Sequence, residues 1–237
     1  MRALRRLIIT LVVLCALFVA ADRISVAVVQ GKMASRIQAA GNLSSKPDLS
    51  IRGFPFLTQL VAKKLDDVKV SANDLTLSDG SGAQVTIRSI DADLRGVLLQ
   101  NGYSSATVQN GTGSILLSYA DVSKAMGHGL SFAYGGDDRV RISGQVTWLG
   151  IQIKGSGRAG LKVLSGDSVA PTDISVDKLT GAGVSLLPGD PKSVVKQLFD
   201  TSFKIPNIPA GLSLESVEAR PDGVLVSLSG SNLKLNQ

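Results

Sequence analysis

Apolar and polar positions along the chain fall into three successive patterns, each of which implies a different kind of element. Residues 1 to 21 start with Arg2, Arg5 and Arg6 and continue as an apolar run from Leu7 to Ala21, interrupted only by Thr10. From Asp22 to Ala40 the apolar residues Val26, Val29, Met33, Ile37 and Ala40 recur at steps of three and four, which places them on one helix face, with Arg23, Gln30, Lys32 and Gln38 opposite. Gly41-Asn42 ends this helix, whose small residues suit packing on the domain's own sheet better than lying in a bilayer surface.

Beyond Lys46-Pro47 the period falls to two, with three short helical exceptions. Asp48–Arg52 reads as a strand and Leu57–Lys64 as one or two helical turns. Leu65–Leu77 is again a strand, with Val68, Val70 and Ala72 on one face. Asn73-Asp74 then shifts the register so that Leu75 and Leu77 continue that face, as a bulge would. Asp79-Gly80-Ser81-Gly82 turns the chain into a long strand, Ala83–Leu99, with Gly96 as a bend. Tyr103–Leu117 is strand-like but broken at Asn110-Gly111, a hairpin signal. Ser118–Met126 reads as a helix capped by Ser118 or Asp121. Leu130–Tyr134 and Arg139–Trp148 make a hairpin around Gly135-Gly136-Asp137-Asp138, with Val140, Ile142, Val146 and Trp148 inward. Ile151–Val163 and Ser168–Leu179 follow in the same style. Pro188–Phe199 carries Val194, Val195, Leu198 and Phe199 on one helical face, and a proline-rich link, 205–209, leads to closing strands Leu212–Ala219 and Gly223–Leu235. Turn signals recur too quickly for βαβ units, so the expected class is α+β with an antiparallel meander.

The first segment is an export signal. Its fifteen apolar residues from Leu7 to Ala21 are short for a spanning helix of about 20, and Val19-Ala20-Ala21 offers the small residues a signal peptidase needs. Cleavage before Asp22 is therefore favoured over retention as an anchor. Either outcome leaves the three arginines inside and the remainder, one domain over 22–237, outside the cytoplasmic membrane.

Composition narrows the functional classes. A hydrophobic share of 44% with only 4% aromatic residues and 25 glycines describes an aliphatic, frequently bending sheet protein and excludes disorder. The formal charge of +6 includes three arginines ahead of the apolar run, so the remainder carries 22 basic against 19 acidic side chains. No cluster of Lys and Arg interleaved with aromatics is left, which argues against nucleic acid as a partner. The one cysteine, Cys15, lies inside the apolar run behind Leu14, where a lipoprotein acceptor would need a small residue. The exported part therefore has neither thiol nor disulfide.

Two of the six phenylalanines flank one proline in Gly53-Phe54-Pro55-Phe56-Leu57-Thr58-Gln59, a rigid apolar corner. This corner either packs as core or forms the lip of an apolar cavity. Set after an amphipathic N-terminal helix and followed by Leu65-Asp66-Asp67-Val68-Lys69-Val70, it resembles the LmeA-type family of actinobacterial cell-envelope proteins over most of residues 22 to 235. The resemblance implies phospholipid binding outside the cytoplasmic membrane in support of mannan-type glycolipid assembly. It also implies a tubular lipid-binding fold in which a curved sheet wraps a long helix.

Candidate catalytic patterns carry little weight. Gly155-Ser156-Gly157-Arg158-Ala159-Gly160 matches a dinucleotide-binding pattern, but Leu161–Leu164 runs straight into Ser165-Gly166-Asp167, leaving no room for the helix the phosphates require. Ser168 and the Ser-x-x-Lys pairs at Ser175/Lys178, Ser193/Lys196 and Ser231/Lys234 lack companion motifs, and His128 is the sole histidine. The carboxylate pairs Asp66/Asp67, Asp91/Asp93 and Asp137/Asp138 read as turn and surface residues, and a zinc site of ordinary composition is ruled out.

The expectation is therefore a non-enzymatic, cofactor-free protein of the periplasm or cell envelope that binds phospholipid or glycolipid at the outer surface of the cytoplasmic membrane. Its expected cavity wall is Phe54, Phe56, Leu57, Leu60, Val61, Phe132, Trp148, Leu198, Phe199 and Phe203, with Arg52, Lys63 and Lys64 on the head group. Two alternatives stand beside it: a lipid-free module that binds an envelope glycosyltransferase, and an envelope hydrolase.

Overall fold

A computed structural model describes residues 2–40, 43–78, 84–101, 105–126, 129–148, 151–180, 190, 193, 202–204, 208 and 210–236. It is α+β. A 39-residue helix, α1 (Arg2–Ala40), is followed by β1 (Asp48–Arg52), a short helix α2 (Phe56–Val61), β2 (Lys64–Ser78), β3 (Gln84–Gln100), β4 (Ser105–Leu117) and α3 (Tyr119–Met126). The remaining strands are β5 (Ser131–Tyr134), β6 (Val140–Trp148), β7 (Ile151–Ser165), β8 (Ser168–Thr180), β9 (Phe203–Lys204), β10 (Leu212–Arg220) and β11 (Gly223–Asn236). They form a six-stranded sheet of order β1-β2-β3-β4-β11-β10 and a five-stranded sheet of order β5-β6-β7-β8-β9. Each pair with described register is antiparallel, as the meander pattern requires. The expected helix over Pro188–Phe199 and the turn at 79–82 lie outside the described residues, apart from Asp190 and Ser193.

The chain divides into two compact units, one made of residues 1–72, 91–111 and 231–237, the other of 73–90 and 112–230. In the first unit, α1 does not stop at the end of its apolar run but continues through Asp22 to Ala40, because nothing from Arg2 onward breaks the helix before Gly41. Leu4 through Val19 leave their large side chains exposed, and this helix is long and apolar enough to cross a membrane. From Asp22 onward one face turns inward. Val26 and Ala34 are buried, while Ile24 and Val28 on the far side stay exposed.

Asn110-Gly111 corrects the sequence reading. No hairpin forms there, and β4 passes straight through. A side chain at Gly111 would come within 2.7 Å of Leu233 Cδ1 and 3.4 Å of Leu94 Cδ2, so this glycine makes room for leucines of the neighbouring strands. The expected shift at Asn73-Asp74 is present. Asp74 takes φ 50°, and burial steps from Ala72 to Leu75 rather than to residue 74.

The described residues of the second unit include a packed aliphatic core. Val140, Val169, Leu214, Val217, Ala219, Val224, Val226 and Leu228 are buried together, and Ile115, Phe132 and Ile142 pack on them from the rim. A gap of about 10 Å³ beside Ile142 and Ala159 is no larger than a water site. Of the two candidate caps of α3, Ser118 takes the role: its Oγ accepts the Asp121 N–H at 3.1 Å, and its hydroxyl donates to the Asp121 carboxylate. Tyr119 donates its hydroxyl to the Arg220 carbonyl oxygen at 2.8 Å, pinning α3 to the β10–β11 hairpin. Burial, with Tyr134 and Asp222 nearby, pushes the Tyr119 hydroxyl up to about 12.

Two outcomes are expected. A Cβ at position 223 would overlap the Leu117 carbonyl oxygen, a backbone atom that cannot swing aside. Gly223→Ala should therefore lower unfolding stability in urea by about 1–3 kcal/mol. Because the folded-state pKa of Tyr119 is raised, its contribution is fully present below pH 10 and fades as pH climbs towards 12. In a pH series of thermal melts, Tyr119→Phe should lose about 1 kcal/mol at neutral pH and show less of the alkaline decline than the parent chain.

Candidate functional site

The Gly-Phe-Pro-Phe-Leu-Thr-Gln segment builds its corner from its own residues. Gly53 takes φ 104°, the Phe54–Pro55 peptide is cis, and Thr58 donates its hydroxyl to the Pro55 carbonyl at 2.8 Å. Gln59 is buried and accepts the Asp66 N–H at 3.0 Å, which fastens the start of β2 to α2. Its amide fills the space that a side chain on Gly53 would need, so the first and last residues of the segment require each other. The two phenylalanines then part. Phe56 is 1% exposed, whereas Phe54 is 58% exposed on the outside.

A carboxylate from α1 locks this corner in place. Asp22 is fully buried and accepts the Leu57 N–H at 2.8 Å, supplying α2 with the cap that Pro55 cannot provide. A negative charge there also faces the positive end of the short helix. Arg23 donates to Asp22 at 3.1 Å and lays its guanidinium over the Phe54 ring, 5.1 Å from the centroid. At the other end of the corner, the Leu99 N–H donates to the Lys63 carbonyl at 2.8 Å, tying in β3.

Behind the corner the first unit holds an open-sided cavity of about 560 Å³. Val29, Met33 and Ile37 of α1 form one wall, and Phe56 and Leu60 of α2 close one side. Leu49 of β1 joins Leu65, Val68 and Val70 of β2 and Leu94, Val97 and Leu99 of β3 to make the sheet wall, which ends at Ser105 and Ala106 of β4. The only charges among the described lining residues are Lys32 and Arg36. They stand one turn apart on α1 and are exposed, so their stems border the cavity and their heads reach solvent. On β2 and β3, Lys69 and Asp93 alternate with lining residues and pair at 2.9 Å. The hydrogen bond from Lys69 holds the Asp93 carboxyl below its ordinary range although burial opposes it.

The residues expected at the wall separate. Phe56 and Leu60 line the cavity. Leu57 is half-buried and contributes its N–H to Asp22, while Phe54 and Val61 face outward, Val61 at 84% exposure. Phe132 packs on the aliphatic core of the second unit. Trp148 and Phe203 sit in β6 and β9 with side chains outside the described residues, and Leu198 and Phe199 lie outside them altogether. Arg52, Lys63 and Lys64 are exposed and absent from the cavity lining. Lys32 and Arg36 were missed, although their spacing of four beside the Val29–Met33–Ile37 stripe is visible in the sequence.

Among the described residues the catalytic suspects do not converge. The Gly155–Gly160 run lies inside β7, paired with β6 and β8, and Arg158 grips Asp177 across the sheet at 2.9 Å. Ser168 donates to neighbouring Asp167 at 3.0 Å, and His128 lies outside the described residues. Among the described residues no three His, Cys, Asp or Glu side chains group as a metal site.

A roomy aliphatic chamber with cations only at one edge suits the tails of an amphiphile better than a polar metabolite, and its volume falls in the usual ligand-pocket range of roughly 300–1,000 Å³. Fold and chamber together define the class of lipid-binding α+β proteins. A family model described as LmeA-like phospholipid-binding matches residues 20–229, and the chain belongs to that family. Comparison with curated proteins and with solved structures gives no match.

The Asp22 contact carries a test. Asp22→Ala should lower thermal stability by about 1–2 kcal/mol, while Asp22→Asn, which keeps an acceptor oxygen for the Leu57 N–H, should recover most of it. Equal losses in differential scanning calorimetry would show that charge, rather than the cap, is what matters.

Proposed function

We propose that this protein holds a phospholipid, or a related glycolipid, with its acyl tails between α1 and the sheet and its head group beside Lys32 and Arg36. It performs no reaction. It acts outside the cytoplasmic membrane of an actinobacterial envelope, at the membrane's outer surface, presenting lipid for mannan-type glycolipid assembly and handing it to an envelope glycosyltransferase. The observation that carries this reading is the cavity of about 560 Å³ walled by Val, Leu, Ile, Met and Phe. Family membership supports the phospholipid as ligand.

The energetics are those of an exchange. Each methylene taken from water contributes about 0.8 kcal/mol, so about twelve give roughly 10 kcal/mol gross. A tail leaving a bilayer, however, already sits in hydrocarbon. Transfer into an aliphatic cavity is thus close to neutral, which suits a carrier that must both load and unload.

Full-length protein purified in detergent and extracted for lipid mass spectrometry should yield stoichiometric phospholipid. Leu60→Trp and Val68→Trp, which fill the cavity, should lose most of that lipid while keeping the parental circular dichroism. Lipid-free parent protein, or filled variants carrying as much lipid as the parent, would refute the reading.

A further inference from the structure

The outer side of the Phe-Pro-Phe corner combines features that the cavity does not use. Phe54 and Val61 leave large apolar side chains exposed, and four exposed cations flank them: Arg23, Arg52, Lys63 and Lys64. The acids nearby are Asp22, which is buried and already accepts from Arg23, Asp66 near the start of β2, and Asp67, which stands opposite Arg52 in the β1–β2 ladder. With Arg23 and Arg52 each facing an acid, Lys63 and Lys64 carry the positive excess beside the two apolar tips, a pattern that suits an anionic lipid surface.

Its placement along α1 strengthens the match. The apolar run ends at Ala21, and the next two residues are those that hold the corner: Asp22 through the Leu57 N–H and Arg23 over Phe54. The fifteen apolar residues from Leu7 to Ala21 rise about 23 Å, most of a bilayer's hydrocarbon core of about 30 Å, and place Arg5 and Arg6 at its far edge. With residues 2–21 in the bilayer, Asp22 and Arg23 come to the head-group level and carry Phe54 there with them. Phe56 and Leu60, from the same short segment, face the cavity.

We propose that Phe54 and Val61, with Arg23 over the Phe54 ring and Arg52, Lys63 and Lys64 next to them in the chain, form a foot that seats the first unit on an anionic bilayer surface beside its own helix. The foot rests on residues 2–21 entering the membrane, and its use rests on the lipid-carrying role proposed above. Since exchange between bilayer and cavity is near neutral, the obstacle to loading is exposure of the tails to water on the way. A corner seated among head groups shortens that passage.

The test uses full-length protein reconstituted into vesicles of phosphatidylcholine and phosphatidylglycerol, with part of the phosphatidylcholine brominated high on its acyl chains. Phe54→Trp and Val61→Trp should each be quenched several-fold more than the parent chain, whose single Trp148 sets the background. Quenching no greater than the parent's in both variants overturns the proposal. Quenching that is as strong in pure phosphatidylcholine, or that survives Lys63→Glu with Lys64→Glu, overturns the anionic surface as partner. Phe54→Asp with Val61→Asp should slow lipid delivery to acceptor vesicles several-fold and leave the lipid that co-purifies in detergent unchanged. If that lipid is lost as well, the two residues belong to the cavity and the docking role falls. If the parent itself carries no lipid yet the added tryptophans are quenched, the foot stands and the carrier reading fails.

Discussion

The buried carboxylate of Asp22 is the point through which the first unit is organised. It lies on a helix whose preceding residues are apolar and exposed, and it satisfies the Leu57 N–H of a helix too short to hold itself together. Burying a carboxylate is costly unless it is bonded, and here one oxygen accepts from the backbone and the other from Arg23. That pairing fixes where α2 lies relative to α1. Through Gln59 and the Asp66 N–H it also fixes where β2 begins. The cavity is the space left between elements whose positions are set in this way.

The two units solve the same problem differently. Both are built from aliphatic side chains, yet one packs them into contact and the other leaves them lining a chamber. In the second unit, Val140, Val226 and Leu228 are buried in one cluster, against which Tyr119 and Val122 of α3 also pack. In the first, α1 presents Val29, Met33 and Ile37 across a gap that Phe56 closes at one side only. Polar groups are scarce along its walls, where Lys32, Arg36 and Ser105 are the polar side chains among the described lining residues.

Several features were legible because they depend on neighbours in sequence. The period of α1 after Asp22, the register shift at Asn73-Asp74, the Ser118 cap of α3 and the closing hairpin at Arg220–Gly223 all follow from local pattern and turn chemistry. Asn110-Gly111 misled for the converse reason. Its turn preference is real, but Leu94 and Leu233, distant in sequence, need the space beside Gly111, and pairing with flanking strands outweighs a local tendency. The site was legible in part. The corner could be identified as apolar and rigid, but a cis peptide and a two-turn helix send Phe54 and Phe56 to opposite sides, which no periodicity announces.

By itself, the sequence determined the class of elements, the exposed apolar helix at the N-terminus, the antiparallel strand pattern and the family, since these rest on hydrophobic period, turn residues and motif. Only the tertiary structure decided that the helix runs unbroken past Ala21, that Asp22 is the cap of a helix 35 residues away, and that Lys32 and Arg36 border the cavity. It also decided that the chamber lies in one unit while Phe132 serves the core of the other. Whether a given apolar side chain fills space or encloses it depends on what stands across from it, and that is set by contacts between residues far apart along the chain.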